Sequence, residues 1–319
     1  MCIRDSKSGF EVAVEAAKLS QAAGLPVHVG WDRTEEMRYG YFRPPTHHQL
    51  YAALDDRGRL EAIEHRQASG DVAFDFLPGA MAAVMGADFG AYRGATVRYA
   101  VPNRKTIAWR TPVPVRTGWW RGLGLLANTY AVESFIDEVA LAAGADPLQF
   151  RIDHMPNDDW GRRGRAVLEA VGELANWSSP PADGRGRGIA FCSDVDTIVA
   201  QVAEVSLDDA GGLRIHDIYA AMDCGLTVNP DGAWAQFEGN VMWGVGSTLF
   251  EEMQVVDGQV AIDNFNNYPL LTMQAAPKVK SVLLEAGDGV PRGVGEPPIG
   301  PVPAAIANAL ANLNGTRVR

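Results

Sequence analysis

Cysteine is scarce in this chain: three residues among 319, at Cys2, Cys192 and Cys224. No two form a Cys-x-x-Cys pair, so neither a zinc site nor an iron–sulfur cluster is indicated. An odd number of thiols also argues against a disulfide framework. Basic charge is short as well. Lys and Arg total 28 against 39 Asp and Glu, a formal net charge of -11, which speaks against a nucleic-acid partner that would call for a basic patch. No apolar run approaches the ~20 residues of a membrane-spanning helix, and the opening residues do not read as a secretory signal. The six histidines include no His-Glu-x-x-His. No Gly-x-Gly-x-x-Gly follows a strand-like run, which excludes a nicotinamide dehydrogenase. His47 and His48 are adjacent and would face opposite ways on a strand, so they are read as structural.

What is present is ordinary in bulk and distinctive in one place. Hydrophobic residues make up 47% and charged residues 21%, enough for a large core and two domains. The distinctive stretch is Gly293-Val294-Gly295-Glu296-Pro297-Pro298-Ile299-Gly300-Pro301-Val302-Pro303. Its glycines permit backbone angles that other residues avoid, and its prolines fix φ and remove donors. Ala304 to Leu310 then has high helix propensity, and Pro303 suits a first helical turn. One carboxylate, Glu296, sits at the stiffest point. Two readings stand: a proline-rich loop with a solvated glutamate, or a base held rigidly because small misplacements of a catalytic group are costly.

Along the chain, residues 10–23 read as a helix with Phe10, Val14, Ala17 and Ala22 at near-helical spacing and Gly24 as its stop. Residues 26–31 alternate like a short buried strand. Residues 43–54 and 60–69 flank a turn ending in Gly58 and form a hairpin. Residues 70–95 are rich in Gly and Ala and carry no clear pattern. Thr117-Gly118-Trp119-Trp120-Arg121-Gly122-Leu123-Gly124 is either a packed aromatic turn or a loop whose backbone and arginine approach a ligand. Residues 128–143 form a helix with Tyr130, Phe135, Val139 and Ala142 inward and Gly144 closing it. Glu133 faces a site or supports one, and Asp137 and Glu138 read as a solvated edge. Asp146 opens a short helix through Arg151. Residues 155–187 read as a linker carrying a helix that ends near Asn176, with the basic run 161–165 solvated. A second hairpin spans 198–222, with Val199, Gln201, Ala203 and Val205 on one face. A helix from about Pro230 to Phe250 carries several glycines. These indicate close packing or contact with a ligand near its start.

The stretch around Glu296, followed by Pro303-Ala304-Ala305-Ile306-Ala307-Asn308-Ala309, resembles the end of the molybdenum-binding subunit of the xanthine dehydrogenase/aldehyde oxidase family. Three further stretches agree in the same order: Trp120-Arg121-Gly122-Leu123-Gly124, Glu133 to Arg151, and Asp223 to Gly246 with Asn229-Pro230 and Gln236-Phe237-Glu238-Gly239. The nearest branch is the isoquinoline 1-oxidoreductase β-subunit type. The resemblance implies an α+β fold of two related molybdopterin-binding domains, the first truncated at its N-terminus. Residues 1–6 then form a non-native leader, 7–155 the end of the first domain and 156–319 the second. It implies a molybdopterin cofactor in its cytosine dinucleotide form, with molybdenum held by the pterin dithiolene and by no side chain. Glu296 is then the base; Trp120, Arg121, Gly122, Gly124, Gln236, Gly239 and Gly295 contact the cofactor. Leu123 stands in the substrate pocket where purine-oxidising members carry a stacking Phe. Phe89-Gly90-Ala91 stands where those members carry a substrate arginine, which argues against xanthine.

By the same resemblance the reaction oxidises an aldehyde or N-heterocyclic aromatic with water-derived oxygen. Electrons pass to a small [2Fe–2S] partner subunit. The alternative is an inactive truncated fragment that acts at most as a scaffold. Cytoplasmic and periplasmic locations both stay open.

Overall fold

The structure is a computed structural model that describes residues 11–74, 79–285 and 288–319. The expected leader, Cys2 and Phe10 lie outside those residues. The chain opens with α1 (Glu11–Ala23) and α2 (Arg33–Tyr39). The first sheet follows, with β1 (Thr46–Leu54) antiparallel to β2 (Leu60–Ser69) and β3 (Asn103–Arg110) parallel to β2. Two short helices, α3 (Gly79–Met85) and α4 (Phe89–Tyr92), lie in the crossover between β2 and β3. Three helices, α5 (Leu125–Ala142), α6 (Pro147–Asp153) and α7 (Asp159–Leu174), lead to the second sheet. There β4 (Gly186–Asp194), β5 (Thr197–Leu207) and β6 (Leu213–Asp223) form an antiparallel meander. After α8 (Pro230–Leu249) and a small ribbon of β7 (Val255–Val256) and β8 (Gln259–Val260), β9 (Lys278–Leu284) returns parallel to β6. The last helix is α9 (Val302–Asn314), with Pro303 in its first turn and Gly315 at φ 80° ending it. This mixed architecture is the expected α+β class.

β5 organises the core because both of its faces are covered. Ile198, Ala200 and Val202 point to a cluster with Val167, Leu168 and Val171 of α7 and Val132 and Ile136 of α5. Val199, Ala203 and Val205 point the other way, against Phe237 and Val241 of α8 and Ile306 of α9. The period of two read from the sequence is therefore real, but the strand has no solvent face. Helix α9 lies directly on β4: a Cβ at Gly188 would run into the backbone of Ala305 and Ala309. The first cluster also includes Leu60 and Ile63 of β2, so the two sheets share one apolar interior.

Several expectations change. Residues 25–32 form no strand, because no neighbouring strand among the described residues offers a ladder to their N–H and C=O groups. Helix α1 exists but buries nothing; Val14 is 46% exposed. The sequence pattern did not signal α2, which a reciprocal capping box between Asp32 and Glu35 starts. Residues 155–187 are no linker, since α7 packs three apolar side chains into the core. The basic run is not wholly solvated: Arg163 is buried and its Nε donates to Asp223 at 2.9 Å. Helix α5 starts three residues early and buries Val132, Ile136, Val139 and Ala140, with Ala142 exposed. Asp137 is buried and accepts from Arg317 at 2.7 Å.

Candidate active site

The loop around Glu296 is fastened to the second sheet. A single 3-10 turn, Pro297–Ile299, is wholly buried. Gln201 of β5 donates to Pro298 O at 2.7 Å, Thr197 Oγ1 to Gly293 O at 2.7 Å, and Cys192 Sγ to Pro297 O at 3.3 Å. Burial pushes the Cys192 thiol well above its usual range, so it stays a neutral donor. The Glu296 side chain projects from this support and keeps 25% of its surface exposed.

Arg121 crosses to the same place from the loop before α5. Its Nε donates to Gly295 O at 2.6 Å and its Nη2 to Gln236 Oε1 at 2.8 Å. Asn240 Nδ2 reaches Gln236 O at 2.7 Å and Gly295 O at 3.2 Å, tying α8 to the Glu296 loop. A Cβ at Gly239 would meet only Arg121 Nη1, at 3.5 Å, so Arg121, Gln236, Gly239, Gly295 and Glu296 are gathered from three chain segments. Burial lowers the Arg121 pKa, and the charge of Glu296 pulls it partly back. Among the described residues no carboxylate lies within ion-pair distance of Arg121, although only 7% of the residue is exposed.

The other expected residues have different surroundings. Trp120 donates its indole N–H to Tyr41 O at 2.7 Å and packs 6.1 Å from Trp243. Gly122 and Leu123 have φ of 80° and 54°, a left-handed pair that turns the chain into α5. A Cβ at Gly122 would stand 2.8 Å from Ile299, and one at Gly124 would strike the carbonyls of Gly90 and Ala91. Both glycines are therefore pressed against protein. Leu123 is buried with Val72 and Ala91.

Three residues at the site gave no signal in the sequence: Asn240, Arg93 and Arg43. Arg93 donates from Nη1 to Glu296 Oε2 at 2.7 Å and grips Asp194 with its other two nitrogens. Arg43 holds the Arg121 loop by donating to Arg121 O at 2.8 Å and to Leu123 O. Burial lowers its pKa to about 10, with Glu251 and Glu296 opposing the shift. Both arginines work across a long sequence separation, so no local pattern could have hinted at either.

The arrangement fits an anionic cofactor with many acceptor atoms. Arg121 is a buried cation without a carboxylate partner among the described residues. Asn240 Oδ1 is buried with no hydrogen-bond partner among the described residues, an acceptor that suits an N–H donor of such a group rather than its anionic oxygens. The space beside Gly295 is open, since a Cβ there would meet only Gln236 Oε1, at 3.8 Å. A bare metal is a poorer match: among the described residues no cluster of three His, Cys, Asp or Glu side chains could hold one.

Comparison with known proteins agrees. Residues 6–155 and 150–277 each match a molybdopterin cofactor-binding domain. The chain is 31% identical over 311 residues to the β-subunit of isoquinoline 1-oxidoreductase from Brevundimonas diminuta, covering 96% of this chain and 39% of that protein. It is 33% identical over 234 residues to a nicotinate dehydrogenase subunit from Pseudomonas putida, covering 68% of this chain and 19% of the relative. The chain thus spans well under half the length of these relatives. In fold it is similar to quinoline 2-oxidoreductase from Pseudomonas putida 86, with a TM-score of 0.79 at 16% identity, covering 94% of this chain and 63% of the other. With its two molybdopterin cofactor-binding domains, this chain belongs to the xanthine dehydrogenase/aldehyde oxidase family.

Proposed function

We propose that this chain forms the part of a molybdenum hydroxylase subunit that carries the catalytic base, Glu296, and part of the cofactor's cradle. The observation that carries the reading is the convergence of Glu296, on its fastened turn, with Arg121, whose Nε binds the adjacent Gly295 O and which has no carboxylate partner among the described residues. When bound, the molybdenum cofactor supplies the oxygen-transfer site and accepts the two electrons. Arg121, the Gln236 amide and the open backbone at Gly239 and Gly295 hold it, with Trp120, Gly122 and Gly124 shaping the loop behind. Glu296 takes the proton released as water-derived oxygen is committed to the substrate, then passes it to solvent. Overall, the substrate carbon gains a hydroxyl from water and two electrons and two protons leave.

We assign the substrate to the aldehydes and N-heterocyclic aromatics, with Leu123 bordering its pocket. The names of the two relatives, isoquinoline and nicotinate enzymes, favour the heterocycles. A [2Fe–2S] partner subunit takes the electrons, and the cofactor is the cytosine dinucleotide form. Residues 7–155 and 156–319 act as the two halves of the cradle. Because the chain covers 39% of the isoquinoline relative, we further infer that cofactor retention needs the remainder of such a subunit, and that the chain alone turns over little.

A general base contributes about 10²–10⁴-fold. Glu296→Gln in the molybdenum-loaded enzyme therefore lowers kcat by at least about 100-fold while molybdenum content and fold stay unchanged. Near-normal turnover in that variant contradicts the assignment.

A further inference from the structure

Arg93 does not meet Glu296 as a lone cation. Its Nε donates to Asp194 Oδ1 at 2.6 Å and its Nη2 to Asp194 Oδ2, while Nη1 donates to Glu296 Oε2 at 2.7 Å. A two-pronged arginine–carboxylate fork fixes the plane of the guanidinium, which leaves Nη1 one direction to point in. The backbone beneath is tied as well, because Asn128 Nδ2 donates to Arg93 O at 3.0 Å and to Ala91 O at 2.9 Å. The side chains of Arg93 and Asp194 are 17% and 7% exposed, so water screens the pair only in part.

We propose that Arg93 and Asp194 form a charge-balanced clamp that positions Glu296: Arg93 aims the carboxyl, and Asp194 cancels the charge that would weaken it as a base. The inference rests on the reading of Glu296 as the base. An uncompensated cation at hydrogen-bond distance stabilises a carboxylate and lowers its affinity for a proton. A base weakened in that way transfers protons less effectively. With Asp194 engaged, the Arg93–Asp194 unit carries no net charge but keeps its geometry. The other charged groups facing Glu296 are Arg121 and Arg43, and Arg43 is itself faced by Glu251 and by the Tyr268 phenol. Among the described residues, Arg93 alone forms an ion pair with Glu296.

Carbon-13 NMR of protein labelled at the glutamate carboxyls reads the Glu296 titration directly. Glu296→Gln identifies the resonance, and the measurement needs neither molybdenum nor turnover. Asp194→Asn lowers the midpoint and Arg93→Met raises it. The double variant returns it close to the wild-type value. A side chain that merely filled space would not produce shifts of opposite sign. Should Asp194→Asn fail to fold, Arg93→Lys replaces it: the lysine keeps the charge, so the rise seen with methionine is absent. In the loaded enzyme the acid limb of the kcat profile moves in the same directions. A midpoint unmoved by Asp194→Asn, shifts of one sign in both single variants, or equal midpoints for Arg93→Lys and Arg93→Met overturn the clamp. None of these results bears on whether Glu296 is the base, which turnover of Glu296→Gln decides.

Discussion

Glu133 and Glu296 each accept from an arginine, and the two sites differ in what else reaches the carboxylate. At Glu133 both oxygens are taken: Oε1 by the Tyr99 hydroxyl at 2.9 Å, and Oε2 by Arg151 Nε at 2.8 Å and Phe191 N at 3.0 Å. Arg151 is fully enclosed and spends its remaining donors on Pro147 O and Glu133 O. Burial and the neighbouring Glu133 charge push the Tyr99 phenol far above its usual range, so it stays a donor. Both oxygens of that carboxylate are thus already occupied by internal donors. At Glu296, Arg93 holds one oxygen, and Oε1 has no partner among the described residues. Residue type does not separate these pairs; saturation does. A closed pair ties α5 to α6 and β4, while an open one on a fastened turn can do chemistry.

The largest test of that distinction breaks the closed pair. Arg151→Met leaves the Glu133 carboxylate buried and uncompensated, and should cost about 3–5 kcal/mol in urea unfolding. Glu296→Gln, by contrast, should shift stability by less than about 0.5 kcal/mol while losing the turnover described above. Equal destabilisation in the two variants would erase the distinction.

A smaller effect probes Arg121. Lysine cannot serve Gly295 O and Gln236 together as the guanidinium does. Arg121→Lys should weaken cofactor retention roughly tenfold, the loss expected for about one charge-assisted hydrogen bond, read as molybdenum lost during dialysis. Unchanged retention would move the cofactor away from this loop.

The smallest test uses another closed polar pair. His48 Nδ1 and His65 Nε2 are 3.0 Å apart, and burial lowers the His48 pKa to about 4. The unfolded chain binds the proton more readily, so the contribution is intact above pH ~6.5 and is lost as pH falls towards the folded value. Stability at pH 5 should therefore lie on the order of 1 kcal/mol below that at pH 7. His48→Gln should flatten the slope in urea titrations, and an unchanged slope would refute the assignment.

Much of this was legible in the sequence because it was local. The two hairpins announce themselves by alternation around Gly58 and Gly211, both with left-handed φ. Helix α8 follows Asn229-Pro230, a cap and a first-turn proline, and the Asn229 side chain accepts from Gly232 N. The stiffness around Glu296 is written in its prolines. What could not be read depends on partners far along the chain. Arg93 meets Asp194 across 101 residues and Glu296 across 203. No periodicity encodes such pairs, and residues 70–95 carry no pattern that would place Arg93. The strand expected at 26–31 failed for the complementary reason: alternation supplies a face, not a ladder partner.

The measurement closest to the central claim is molybdenum per chain, taken by mass spectrometry on protein expressed from its whole gene in a host that assembles the cofactor. The site built from Arg121, Gln236, Gly295 and Glu296 predicts about one molybdenum per chain, reduced by Arg121→Lys and retained by Glu296→Gln. Protein that folds under those conditions and holds no molybdenum would contradict the account.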